Sequence, residues 1–173
     1  ERAAELAPTV MAEMGKPVSA ALGELSVVAD IFDFYADHAE ELLADVTFEP
    51  ASGGVAVVQQ RPIGAILGIM PWNYPHYQTA RLVAPNLALG NAVIIKPASS
   101  CPRSALEFGR ILSDAGVPDG VLGIVFADSA QIAEMIADKA DYRKSIRNCT
   151  MKQGRLVVKA KDEKAESVYE NYY

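Results

Sequence analysis

At 173 residues, half of them apolar and 22% charged, the chain is large enough to bury a core and too apolar to be disordered. Its net charge of −6 argues against nucleic acid as a partner, and its two cysteines, Cys101 and Cys149, make neither a disulfide framework nor a zinc cluster, so reduced, cytoplasmic surroundings are expected. No apolar run reaches the ~18 residues of a membrane span, the longest being Pro62 to Trp72, and no leader follows Glu1-Arg2, so no membrane partner is expected.

The chain opens in helix-forming residues, Glu1 to Met14, with no N-cap ahead of them, which reads as an element entered part-way. Gly15-Lys16-Pro17 ends it. A long helix is predicted from about Ser19 to Asp45. Leu22, Leu25, Val28, Ala29, Phe32, Tyr35, Ala36, Ala39 and Leu43 recur at three- and four-residue steps and define its buried stripe. Glu24, Asp30, Asp33, Asp37, Glu40 and Glu41 occupy the other positions, and His38 is expected in solvent. From Val55 the pattern changes. Val55 to Val58 is a short β-rich run, and Ile63 to Met70, Ala92 to Ile95 and Val121 to Phe126 are three apolar runs; runs this apolar suggest parallel strands buried on both faces. Helices are predicted between and after them: Tyr77 to Leu89, interrupted near Pro85; Arg103 to Ala115, entered at Pro102 and left at Gly116; and Ser129 to Ala137. The βαβαβα order argues for an open, doubly wound α/β sheet, which binds ligands beyond the carboxyl ends of its strands.

Charge is unevenly spread. Residues 1–138 hold 7 basic and 17 acidic side chains, whereas 139–173 hold 9 basic and 5 acidic, so net charge reverses from −10 to +4. No carboxylate occurs from Pro50 to Leu106, although Arg61, Arg81, Lys96 and Arg103 do, which suits an anionic ligand or simply a core. Three segments follow: a helical lead over 1–50, a sheet portion over 51–138 and a divergent basic tail over 139–173, whose one apolar group is Leu156-Val157-Val158.

The loops after the strands carry the chemistry. In Met70-Pro71-Trp72-Asn73-Tyr74-Pro75, prolines bracket an aromatic–Asn–aromatic triplet. A rigid Asn can donate to an oxygen that gains charge in a transition state, or it can satisfy a turn, with Trp72 in the core or against a ligand. In Lys96-Pro97-Ala98-Ser99-Ser100-Cys101-Pro102, a cation and two hydroxyls precede a helix N-terminus. They suit a hydroxyl-rich or phosphorylated group, or they form a capped helix beside a solvated Lys. Ser129 is expected to cap the third helix or to contact a phosphate. No G-x-G-x-x-G and no P-loop are present, and His38 and His76 make no metal motif.

Together these blocks resemble the aldehyde dehydrogenase superfamily. The similarity is carried by Met14 to Pro17, Pro62 to Met70, Pro71 to Pro75, Ala84 to Asn91, Lys96 to Ser99 and Asp114 to Val121, and runs from about Glu1 to Asp138. The wording of Met70 to Asn91 looks most like bacterial succinate-semialdehyde dehydrogenases. The resemblance implies a Rossmann-like parallel sheet with flanking helices, the cofactor-binding portion of a longer enzyme. It implies an NAD- or NADP-dependent oxidation of an aldehyde through a cysteine thiohemiacetal. Asn73 would then supply the oxyanion-hole amide, Ile69, Pro71 and Trp72 would line the cofactor cleft, and Lys96 would bind the adenosine ribose or its 2′-phosphate. Ser99 stands where NAD-preferring members often carry Glu, so NADP is favoured over NAD.

After Asp138 the family's Thr-Gly-Ser turn, general-base Glu and nucleophilic Cys are not found, and Ala127-Asp128-Ser129 replaces the usual glycines after the third strand. Cys101 lies too early to substitute, and Cys149 has no family context. A truncated or rearranged chain is the simplest reading, catalytically incomplete alone. The tail also lacks the swapped strands by which family members join subunits. The alternatives are a non-catalytic nucleotide-binding or interaction fragment and a remnant without function.

Overall fold

The structure, a computed structural model, describes residues 2–137, 149–152, 155–159 and 166–169. The described chain forms two compact units, Glu1–Phe126 and Ala127–Tyr173.

The first unit begins with two helices, α1 (Ala3–Met14) and α2 (Val18–Leu42). Gly15 separates them in the left-handed region (φ 67°) and returns its N–H to Met11, so the break expected at Gly15-Lys16-Pro17 is where the chain turns. Strands β1 (Val46–Phe48) and β2 (Ala56–Val58) form an antiparallel pair with Val46 opposite Val58. The long helix therefore stops short of Asp45, and the next residues become a strand.

A parallel sheet follows in the order β3–β4–β5, made of Ala65–Ile69, Ala92–Lys96 and Leu122–Ile124. It is joined by α3 (Pro75–Leu89) and α4 (Pro102–Asp114). Adjacent strands joined by right-handed crossovers put both helices on one face, and one core results. Ala80 and Val83 of α3, Val93 and Ile95 of β4, and Ala105, Phe108 and Leu112 of α4 are buried together. Val28, Ile31 and Phe32 of α2 pack against them. Leu6, Ala7 and Val10 of α1 form a second cluster with Ala21 and Leu25 of α2.

The alternation along β4 is one-sided, since Val93 and Ile95 are buried while Ala92 and Ile94 are half-buried. The expected burial on both faces is thus met on one. The predicted interruption at Pro85 does not occur, and α3 runs unbroken to a left-handed Gly90. Gly68 explains how closely α3 approaches β3. A methyl there would fall on the Leu82 side chain.

The predicted stripe of α2 is largely met, with Leu25 buried and Val28, Phe32, Tyr35 and Ala39 half-buried, but Leu22, Ala29 and Ala36 at its margin are exposed, and Ala21 and Glu24 are buried in their place. Glu24 faces inward because α3 covers it and supplies donors. His38 is exposed as expected.

The second unit holds α5 (Ser129–Ala137) and the strands β6 (Cys149–Lys152), β7 (Arg155–Lys159) and β8 (Glu166–Tyr169). These strands form an antiparallel sheet in chain order, with β7 central. The predicted apolar group Leu156–Val158 lies in β7, and its two neighbours had no strand signal of their own.

Candidate functional site

The parallel register builds the site. Ile69 lies beside Lys96 at the last rung of the β3–β4 ladder, and the next N–H, of Met70, donates to the Lys96 carbonyl at 2.9 Å. The loops that carry Pro71-Trp72-Asn73 and Lys96 to Ser99 therefore leave the sheet side by side at its carboxyl edge. They are tied once more where the Cys101 thiol donates to the Trp72 carbonyl at 3.5 Å. Ile69 and Trp72 are 54% and 62% exposed, so a flat apolar patch is presented at this edge, with Pro71, Asn73 and Ser99 exposed beside it and Lys96 half-buried.

Asn73 lies in the bend between β3 and α3. The residue after it, Tyr74, has φ 55° and ψ 59°, and it is the one non-glycine with positive φ among the described residues. A large side chain in that region is strained. Pro75 opens α3, and the free N–H groups of His76 and Tyr77 donate to Glu24 Oε1 at 2.9 and 3.2 Å. The other oxygen of Glu24 accepts from Lys16 Nζ at 2.6 Å, and that ammonium lies 3.4 Å from the centre of the Tyr74 ring. Glu24 has no exposed side-chain surface.

The N-terminus of α4 is filled in the same way. Glu13 accepts from the N–H groups of Arg103 (2.7 Å) and Ser104 (3.0 Å) and from the Ser104 hydroxyl (2.6 Å). A protein carboxylate thus occupies the helix end beside Ser99 and Ser100. The carboxylate-free stretch from Pro50 to Leu106 folds against two carboxylates from the lead, so the inference that no negative field reaches it is overturned. Sequence reasoning missed both residues, whose roles depend on chain that lies far away in sequence.

Asn91 is a third missed residue. It is 2% exposed, accepts from the N–H groups of Ile63 (2.7 Å) and Gly64 (3.1 Å), and donates to Asn86 Oδ1 (3.0 Å). It clamps the entry of β3 to the end of α3. The residue was visible only as part of the Ala84 to Asn91 block.

Burial pushes the Cys101 thiol up from its ordinary value. His76, 1% exposed, has its imidazole held down, because burial outweighs the attraction of Glu24 and Glu107. His76 Nε2 and Glu107 Oε2 are buried without partners among the described residues.

In the second unit Ser129 is exposed, and it is not the cap of α5. Asp128 is. Its Oδ1 accepts from the N–H groups of Ala130 and Gln131 at 2.9 Å each, and Gln131 Oε1 returns the bond to the Asp128 N–H at 2.9 Å. Aspartate at N-cap with glutamine three residues on makes a capping box, and the Ser hydroxyl is not needed. Cys149 lies in β6, and no metal-holding group of three His, Cys, Asp or Glu occurs among the described residues.

Beside α3 lies a groove of about 370 Å³ lined by Val27, Asp30, Ile31, Phe34 and Tyr35 of α2 and by Arg81 of α3. Asn73, Tyr77 and Arg81 follow one another at four-residue steps, and the Arg81 guanidinium lies 5.3 Å from the Tyr77 ring centre. Among the described residues no helix is long and apolar enough to cross a membrane.

Known proteins were compared with this arrangement. A model of the aldehyde dehydrogenase family matches residues 1–169, which takes in most of the basic tail. The chain is 42% identical over 140 residues to a succinate-semialdehyde dehydrogenase [NADP(+)] of Deinococcus radiodurans, covering 81% of this chain and 29% of that protein. It is 37% identical over 138 residues to the succinate semialdehyde dehydrogenase [NAD(P)+] Sad of Escherichia coli K12, covering 79% of this chain and 29% of that one. The succinic semialdehyde dehydrogenase of Streptococcus pyogenes, solved in complex with NADP+, superposes with a TM-score of 0.75 at 40% identity, over 78% of this chain and 30% of that chain. The chain spans about three tenths of the length of the curated relatives it matches.

Proposed function

Because the chain belongs to the aldehyde dehydrogenase family, we propose that its β3 and β4 loops form the NADP-binding side of an oxidoreductase site for a small aldehyde, with NAD as the weaker cofactor. The observation that carries this reading is the register Ile69↔Lys96, from which the Pro71-Trp72-Asn73 loop and the Lys96-to-Ser99 loop leave the same edge of the sheet. In this reading Ile69, Pro71 and Trp72 supply an apolar wall for the nucleotide, and Lys96 and Ser99 receive the adenosine ribose and its 2′-phosphate. A serine at position 99 adds no repulsion of its own to that phosphate, and with Glu13 already filling the α4 N-terminus the attraction falls to Lys96. The Asn73 side-chain amide donates to the oxygen of the aldehyde as it becomes an oxyanion. NADP accepts a hydride when bound.

Succinate semialdehyde is the substrate that the relatives' names support. It carries a carboxylate, and Arg81 is an accessible cation on the groove wall. Helical side chains lean toward the N-terminus, and Arg81 accordingly leans back along α3 over the Tyr77 ring. This sequence is proposed to lack the nucleophilic Cys and the general base, since Cys101 is buried and its thiol is spent on the Trp72 carbonyl. The three-part organisation over 1–50, 51–138 and 139–173 belongs to the same proposal. A second reading, a nucleotide-binding piece without turnover, is favoured by the same burial of Cys101.

Titration of the purified chain with NADP and with NAD, following Trp72, tests the proposal. Trp72 is the one tryptophan in the sequence. Saturable quenching that is stronger for NADP is expected, and Ser99→Glu should reverse the order of the two. No saturable change with either nucleotide would overturn it.

A further inference from the structure

The proposed role of Asn73 requires a bend held in one conformation, and the residues of the bend do not hold it unaided. Tyr74 is in the left-handed region, where a bulky side chain is unstable by itself. The side chains of Asn73 and Trp72 are exposed, and the tie on their side of the bend is the weak bond from the Cys101 thiol to the Trp72 carbonyl. What surrounds Tyr74 is a three-part contact brought from the helical lead. Lys16 Nζ lies over the ring at 3.4 Å and bonds Glu24 Oε2 at 2.6 Å, and Glu24 Oε1 accepts from the two amides that follow Pro75. One carboxylate thus grips the start of α3 while its counter-ion presses on the residue just before it. Both partners are desolvated, with side-chain exposures of 12% for Lys16 and none for Glu24, and neither is a surface pair screened by water.

We infer that the Lys16–Glu24 ion pair is a positioning device for the Trp72-Asn73-Tyr74 bend. It keeps Tyr74 in its strained conformation and so aims the Asn73 amide. This inference rests on the reading of Asn73 as the oxyanion donor. The pair acts through the bend, and neither residue touches substrate. A cation with an aromatic preference is needed at position 16, because the contact serves the carboxylate and the ring at once.

The test uses the full chain without nucleotide. Amide hydrogen exchange is measured at His76 and Tyr77, and the anisotropy decay of Trp72 is recorded, for Glu24→Ala, Lys16→Met and Lys16→Arg. Circular dichroism confirms that each variant is folded. Lys16→Met is expected to speed exchange at His76 and Tyr77 by roughly tenfold, as expected when a charge-assisted bond is weakened, and to quicken the depolarisation of Trp72. Lys16→Arg, which keeps both contacts, should restore both signals. Glu24→Ala should exceed Lys16→Met, and if it does not fold the two Lys16 variants decide alone. Unchanged exchange in Lys16→Met would overturn the inference. So would faster exchange spread evenly over α2 and α3, or an arginine variant as loose as the methionine one. No ligand is present, so failure here leaves the nucleotide titration untouched, and a flat nucleotide titration leaves these amides as they are.

Discussion

Replacing Glu13 separates the tertiary cap of α4 from ordinary surface charge. Its Oε2 receives both the N–H and the hydroxyl of Ser104, which is 1% exposed, while Oε1 receives the N–H of the exposed Arg103. In Glu13→Ala the Arg103 amide finds water, but two Ser104 donors are left buried. At about 1–3 kcal/mol for each orphaned donor, with partial relief as water enters the gap, the loss is roughly 3 kcal/mol. Glu13→Gln can turn its carbonyl oxygen to Ser104 and keep both of those bonds. It loses the charge and the Arg103 contact, a cost of about 1 kcal/mol. With a urea dependence of about 2 kcal/mol per molar, the midpoint should fall by about 1.5 M for alanine and about 0.5 M for glutamine. Urea unfolding followed by Trp72 fluorescence is the appropriate assay, because the tryptophan loop touches Cys101 at the start of this helix. Equal midpoints for the two variants would refute the argument, since they would mean that the carboxylate acts by charge alone.

Asn91→Ala should cost about 1–2 kcal/mol in the same assay, since the link to Asn86 is lost while the N–H groups of the exposed Ile63 and Gly64 find water. Gly68→Ala should cost about 1–3 kcal/mol by overpacking against Leu82, and Gly68→Ala combined with Leu82→Ala should recover part of that loss. The folded state holds the His76 imidazole below its unfolded value, so the unfolded chain binds the extra proton. Stability from this group is therefore complete above the ordinary value of 6.5 and declines as pH falls below it. The urea midpoint of the wild type should drop between pH 7.5 and 5.5 by more than that of His76→Gln, and parallel profiles would refute the assignment. Arg81→Leu should leave NADP quenching of Trp72 unchanged while abolishing any protection of the groove by succinate, measured as exchange at α3 amides.

The alternation of strand and helix from Ala65 onward was readable in the sequence because its signals are short-ranged. A run such as Ala92 to Ile95 declares a strand within a few residues, Pro102 opens a helix through its own fixed φ, and Gly15 and Gly116 end helices through a conformation that other residues resist, whereas Pro75 and Gly90, which bound α3, were not read as its limits. From that alternation the carboxyl edge of the sheet followed, and with it the loops of Asn73 and Lys96. The strands β6 and β8 gave no comparable signal, since they acquire their pairing from β7.

The sequence by itself determined the α/β order, the family and the strand ends from which the candidate loops leave, because each is written in neighbouring residues. The tertiary structure alone decided what surrounds those ends. Glu24 bonds His76 across 52 positions and Glu13 bonds Arg103 across 90. A carboxylate on a helix has the same local sequence whether it meets water or another helix's free N–H groups. Only packing decides which, because burial, and the donors that make burial tolerable, come from chain that is distant in sequence and adjacent in space.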